Sequence, residues 1–311
     1  MTLYPLKFRL QLLPKVWGSE SWEVSCYGEH ISEVENGQLA GDSLQDLLET
    51  YMADLVGDSV YEAYGNRFPL LAKFIDAQED LSVQVHPDDE TAYDRHRELG
   101  KTEVWYVVDA EEGSSLTVGF AHETDMEELQ DALAKHQVME LLQRVPVKRG
   151  DMFFLSPGTV HAINRGVKVA EIQESSDITY RLYDYDRPGL DGKLRPLHID
   201  EALEVIDYTM GKTKVEYEVL DLGAVNVVTD PHFTTNLLSF NRLIERDYAA
   251  LDSFVVYMCV EGEATIQAKD CDEEPLLIRK GESVLLPACL NDICLVPLTP
   301  VVRFLETYVG A

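Results

Sequence analysis

The chain has 311 residues, 45% of them hydrophobic, and 26 Lys and Arg set against 56 Asp and Glu give a net charge of −30. That length builds one large or two ordinary domains around a sizeable core, and so acidic a balance excludes a nucleic-acid binder, which needs a basic field to neutralise phosphates. No apolar run reaches the ~20 residues of a membrane helix, and no secretory h-region opens the chain, so a cytoplasmic protein is expected.

Residues 1–25 read as an extended entry with a loop at 14–18 and a short strand at 21–25, its Trp17 and Trp22 serving as core packing. Ser43 is an N-cap, and Leu44, Leu47, Leu48 and Tyr51 follow helical spacing behind it. From Phe68 to Val108 the pattern is β, with strands at 70–75, 81–86 and 103–108 and a short helix and turn between 88 and 100. A strand at 116–120 is followed by Thr124-Asp125-Met126-Glu127, whose capping-box spacing opens a helical hairpin over 126–135 and 139–144. The turn signals Gly150-Asp151 and Pro157-Gly158 bracket an apolar run and lead to His161. Strands at 167–173 and 178–183 and a helix at 196–206 come next. Past Met210 strands recur at 237–245, 254–260, 264–268, 283–287 and 301–307, near the ~8–12-residue spacing of sandwiches and barrels. Five cysteines without a Cys-x-x-Cys are reduced thiols here.

The chain repeats weakly within itself. Lys148-Arg149-Gly150-Asp151 followed by Leu155-Ser156-Pro157 is echoed by Arg279-Lys280-Gly281-Glu282 followed by Leu285-Leu286-Pro287, but the second copy has no histidine after its turn. Two related β-barrels, one carrying a site and one bare, account for this.

The site begins at Leu81-Ser82-Val83-Gln84-Val85-His86. Side chains of a strand alternate faces, so Ser82, Gln84 and His86 share one side. A solvent face has the same pattern, but Glu103 and His161 decide against it: two imidazoles, a carboxylate and an amide oxygen form a divalent-metal site suited to zinc, iron or manganese. Such a site polarises a substrate oxygen. If the substrate is anionic, a local cluster of Lys and Arg must overcome the global field.

Gly150-Asp151, Pro157-Gly158 and His161 resemble the second motif of the cupin superfamily, in which tight turns deliver a strand-end histidine to a barrel mouth. The resemblance narrows with Leu81-Ser82-Val83-Gln84-Val85-His86-Pro87-Asp88, Gly100-Lys101-Thr102-Glu103, Pro157-Gly158-Thr159-Val160-His161-Ala162 and the run from Glu171 to Arg187, including Thr179-Tyr180-Arg181. In this order they are similar to the signatures of type I mannose-6-phosphate isomerase, from Trp17 to about Asp207, in the short form without a large extra helical domain; the last third is similar in pattern only.

The resemblance implies a mainly β fold of two cupin-like jelly-roll β-barrels with short inserted helices. The catalytic domain would span 1–220, with helical insertions at about 39–66, 125–144 and 197–208, and a degenerate barrel 221–311. It implies one Zn²⁺ held by Gln84, His86, Glu103 and His161, and interconversion of mannose 6-phosphate and fructose 6-phosphate through an enediol(ate). Arg181, Lys101 and Glu171 take the catalytic positions, with Glu171 or a water on the metal as the general base. Ser82, Lys73 and Arg187 take the phosphate positions; Ser82 lies about 13 Å from His86 at ~3.3 Å per residue, the reach of an extended hexose. The implied partner is a small sugar phosphate, without nucleic acid or membrane, on a monomer or weak homo-oligomer. An iron oxygenase built on His86, His161 and Glu103, and a sugar-phosphate-binding module without catalysis, are the alternatives.

Overall fold

The computed structural model describes residues 3–209, 211–269, 271 and 273–310; Met1 and Thr2 of the entry segment, and Met210 where the β-rich C-terminal part begins, lie outside the described residues. The chain forms two compact units: Leu12–Ser21 with Lys73–Val215, and Met1–Gln11, Trp22–Ala72 and Glu216–Ala311. The helical segment at 39–66, with Ser43 accepting from Asp46 N as its cap, therefore clusters with the C-terminal strands.

A seven-stranded sheet, most of whose residues belong to the first unit, runs in the order Gln11–Lys15, Gly18–Val24, Leu70–Ala77, Val167–Glu174, Glu103–Ala110, Met152–Leu155, Lys214–Val215. A five-stranded sheet runs Tyr180–Tyr183, Val83–Val85, His161–Ile163, Ser115–Phe120, Leu142–Pro146. Trp105, Val107, Phe153 and Val169 from the first sheet interdigitate with Leu116, Val118 and Ile163 from the second, as in a β-sandwich. The outer face of the five-stranded sheet is covered by the helices Met126–Ala134, Val138–Leu141 and Ile199–Val205, where Val83 and Val85 meet Leu129, Val138 and Leu203. Alternation then turns Gln84 inward, between the sheets.

Three local readings need correction. The strand expected at 81–86 is regular only over Val83–Val85, and Leu81 packs in the inter-sheet core rather than with Val83 and Val85. The cap of the inserted helix is Asp125, which accepts from Glu128 N at 2.9 Å, because its carboxylate is one residue nearer the first turn than Thr124. The second helix of that hairpin is one turn long; Leu142–Pro146 leaves it to pair with Ser115–Phe120, where Val145 and Pro146 suit a sheet edge and not a helix interior.

The C-terminal sandwich has the same strand logic. Its five-stranded sheet is ordered Gly223–Thr229, Thr234–Phe240, Val302–Tyr308, Val255–Glu261, Ser283–Leu286, against Ile244–Asp247, Asp292–Pro297, Glu263–Ala268, Leu276–Arg279. The strand expected at 237–245 is thus two strands in different sheets, broken at the polar Asn241-Arg242 turn.

The internal repeat is geometric. Gly150 (φ 87°) donates to Val107 O at 2.9 Å, and Gly281 (φ 88°) donates to Cys259 O at 2.9 Å. Lys148 N donates to Asp151 Oδ2 at 3.0 Å, and Arg279 N to Glu282 Oε2 at 2.7 Å. Register extends the correspondence: Glu103 pairs with Leu155 as Val255 pairs with Leu286, and Trp105 pairs with Glu171 as Tyr257 pairs with Glu306. Glu103 thus has an apolar counterpart, while Glu171 corresponds to another buried carboxylate. Glu306 accepts from Arg246 Nε and Nη2 at 3.0 Å each, from Asn236 Nδ2 at 2.9 Å, and from Tyr248 Oη.

Glu306→Ala strands Arg246 without its partner, so it should lower the unfolding free energy by ~3–5 kcal/mol. Urea denaturation followed by circular dichroism reads this directly; a loss below ~0.5 kcal/mol, the range of ordinary surface changes, would show that the cluster is not a stabilising element.

Candidate active site

The Val83–Val85 strand lies between two partners, and Gln84 pairs across to both His161 and Arg181. Glu103 opens the Glu103–Ala110 strand of the opposite sheet, in register with Gln173 and Leu155. The two sheets therefore deliver donors from opposite sides. His86 Nε2 lies 3.4 Å from Glu103 Oε1 and His161 Nε2 lies 3.6 Å from Glu103 Oε2. Ligand atoms of His86, Glu103 and His161 all fall within 4.8 Å of one another, and all three residues are buried. Gln84 Nε2 is 3.4 Å from His161 Nε2, and half a turn of the amide exchanges it with Oε1, the donor a metal would take.

Both imidazoles are oriented by the backbone. His86 Nδ1 donates to Ile178 O at 2.7 Å, and His161 Nδ1 donates to Thr159 O at 2.9 Å. Each proton is thereby held on Nδ1, leaving the Nε2 lone pair facing Glu103, the arrangement found behind metal-bound histidines. Gly158, at φ 85°, is required nearby: a Cβ there would stand 2.8 Å from Val205 O, and its N–H donates to His86 O at 2.9 Å, tying the two histidine segments together.

The electrostatics match. Burial and then Lys101 push His86 down to about 3, and burial pushes His161 down, so both are held in the neutral form a metal ligand needs. Burial pushes Glu103 up, but Lys101 and the histidines outweigh it and hold the carboxyl well below the ordinary range. Lys101 Nζ lies 2.6 Å from Glu103 Oε1 as an ion pair, yet neither Glu103 oxygen accepts an aligned hydrogen bond. A buried carboxylate with free lone pairs beside two Nε2 atoms fits a divalent ion.

Beside this group, reached through Gln84 and Lys101, is a small cavity of about 80 Å³. Gln84, Lys101, Glu171 and Arg181 line it, with Lys73 and Ser82. Ser82 Oγ donates to Gln84 Oε1 at 3.3 Å, which confirms the shared face. Glu171 is gripped from two sides: Trp105 Nε1 donates to Oε2 at 2.7 Å, and Lys73 Nζ is 3.1 Å from Oε1. Burial drives Glu171 upward, Lys73 pulls it back, and Glu103 adds to the rise; Lys73 stays charged because Glu171, Glu20, Asp177 and Glu103 together more than offset its burial. Arg187 is not among the cavity-lining residues; its Nη2 donates to Asp184 Oδ1 at 3.0 Å and its guanidinium lies 5.5 Å over Tyr185. A register shift follows Arg181, and Tyr183 packs on the helix side.

Sequence reasoning passed over Trp105 and Arg195, both on the cavity wall. Trp105 carried a signal, standing two residues from Glu103 on the same strand face. Arg195 carried none beyond its charge, since a loop returns it to the site.

Fold and site together define a cupin-type protein with a candidate metal centre beneath a cation-rich cavity. Residues 16–125 match the family described as phosphomannose isomerase type I, catalytic domain. The chain is 34% identical over 305 residues to mannose-6-phosphate isomerase of Streptococcus mutans, covering 91% of this chain and 92% of that protein. It is 34% identical over 316 residues to mannose-6-phosphate isomerase ManA of Bacillus subtilis, covering 94% and 96%. The crystal structure of the mannose 6-phosphate isomerase from Bacillus subtilis superposes with a TM-score of 0.87 at 28% identity over 99% of this chain and 100% of that one. The chain belongs to the mannose-6-phosphate isomerase family.

His161→Ala removes one of three clustered ligands and should weaken Zn²⁺ binding at least ~100-fold, on the scale that even outer partners of ligands reach. Titration calorimetry on chelator-stripped protein measures it; unchanged affinity would show that these residues do not form the metal site.

Proposed function

We propose that this chain interconverts mannose 6-phosphate and fructose 6-phosphate with one Zn²⁺ held by Gln84, His86, Glu103 and His161. The observation that carries the reading is a buried carboxylate of raised pKa, Glu171, on the wall of a cavity also lined by Gln84 and Lys101, the side chains that touch His161 and Glu103, in a chain of this family. We assign catalysis to the barrel within 1–220 and read 221–311 as its degenerate relative, with Val255 where a metal ligand would stand.

A bound ion would supply Lewis-acid polarisation of a sugar oxygen. Glu171 takes the C2 proton of the opened aldose and returns it at C1. Trp105 and Lys73 hold its two oxygens apart, so the carboxylate meets the sugar carbons in one orientation. Arg181, opposite Gln84 in register, places a guanidinium where enediolate charge develops. Lys101, beside Glu103, moves a proton between the two sugar oxygens. Ser82 marks the phosphate end, with Lys73 and the arginines near Asp184, Arg187 included, supplying positive charge against the overall −30.

Glu171→Gln keeps the shape and loses the base. Its kcat should fall at least ~100-fold, and solvent deuterium should no longer enter C1 or C2 when the reaction is run in heavy water and read by NMR. Exchange and turnover like wild type would refute the assignment. Because Glu171 is raised, and acts only when ionised, kcat/KM should fall with falling pH through a value above the ordinary Glu pKa of ~4.3. A pH profile flat to that point would contradict it.

A further inference from the structure

We propose that Arg195 is a direct ligand of the substrate phosphate, and that Asp184 and Arg187 are positioning residues that aim it; this rests on the sugar-phosphate reading above. Arg195 lines the cavity and Arg187 does not. Arg195 Nε and Nη2 each donate to Asp184 at 2.6 Å, and Asp184 also accepts from Arg187 Nη2 at 3.0 Å. A guanidinium has five N–H donors in a rigid fork. One edge of Arg195 is spent on Asp184, so both N–H bonds of Nη1 and one of Nη2 remain for a ligand. A carboxylate that grips the back of a guanidinium in this way fixes the plane it presents, which suits bidentate recognition of a phosphate.

Position supports the assignment. Tyr183 pairs with Val83, so Asp184 lies beside the Ser82 end of the Val83–Val85 strand, away from His86. The segment carrying Arg195 is stitched to the outer edge of Tyr180–Tyr183: His198 N donates to Arg181 O at 2.8 Å, and Arg181 N to His198 Nδ1 at 3.3 Å. Arg195 thus enters the cavity at the end where the phosphate of an extended sugar would lie. Arg181 Nε is buried without a hydrogen-bond partner, and Arg181 is pushed below its ordinary pKa by burial first and by Arg195 second. Like charges held together in a cavity are relieved by an anion. The turn that sets Arg187 against Asp184 has two successive left-handed residues, Tyr185 at φ 58° and Asp186 at φ 52°, an uncommon geometry kept where the aim of the arginines depends on it.

The test uses the full chain with its metal and compares Arg195→Ala, Arg195→Lys and Arg187→Ala. Arg195→Ala should raise KM for mannose 6-phosphate at least about tenfold, the weight of a charge-assisted bidentate contact, with kcat within about twofold because the reacting carbons are untouched. Binding of inorganic phosphate, read by titration calorimetry without turnover, should weaken in parallel. Arg195→Lys should recover part of both, and Arg187→Ala should weaken both by less than Arg195→Ala. If KM and phosphate affinity stay within twofold in both Arg195 variants, or kcat alone falls, the proposal is overturned while the isomerase reading stands. A wild-type chain that binds phosphate through Arg195 but does not isomerise would overturn that reading and leave this ligand assigned.

Discussion

The site depends on one electrostatic demand: Glu103 has no exposed surface, and a buried carboxylate must be matched by positive charge. Lys101 matches it from one side. His86 and His161 cannot, because burial keeps them neutral, the form in which an imidazole can accept a metal. The backbone carbonyls of Ile178 and Thr159 fix which nitrogen each presents. A divalent ion would complete this group and bring positive charge to Glu103. The surrounding architecture follows from that demand: Gln84 and Glu103 must point inward from facing sheets, so Val83, Val85 and Val104 must point elsewhere, into cores that hold the register.

The second sandwich meets a similar demand differently. At the position corresponding to Glu171 it buries Glu306, but surrounds it with Arg246, Tyr248 and Asn236, and it has Val255 in place of Glu103. Lys73 stands to Glu171 as Asn236 stands to Glu306. The first sandwich leaves its carboxylate on a cavity wall; the second ties its carboxylate into a bidentate ion pair. The difference between the two copies lies in the partner given to a buried acid.

Much of this was legible in the sequence because strand parity is a short-range rule. Period two put Ser82, Gln84 and His86 on one side, and the turns at Gly150 and Pro157-Gly158 placed His161 at a strand start. The repeat of Lys148–Asp151 in Arg279–Glu282 pointed to two related halves, and the two turns form corresponding hydrogen bonds. Three things were hidden, for physical reasons. The break of 81–86 to Val83–Val85 depends on which neighbours supply hydrogen bonds, which no local pattern encodes. The one-turn helix before Leu142–Pro146 was masked by apolar residues that satisfy either period. Arg195 reaches the cavity only because Asp184 and the Tyr180–Tyr183 edge hold a returning loop, a tertiary contact between residues that share no motif.

The central claim is that isomerisation depends on a single divalent ion at His86, Glu103 and His161. The most direct measurement is a titration of chelator-stripped protein with Zn²⁺, recording bound metal and mannose 6-phosphate isomerisation on the same samples. The account predicts no turnover without metal and activity rising in proportion to occupancy until about one ion per chain is bound, the stoichiometry of a single site. Full activity in the stripped protein, or activity that does not track occupancy, would contradict it.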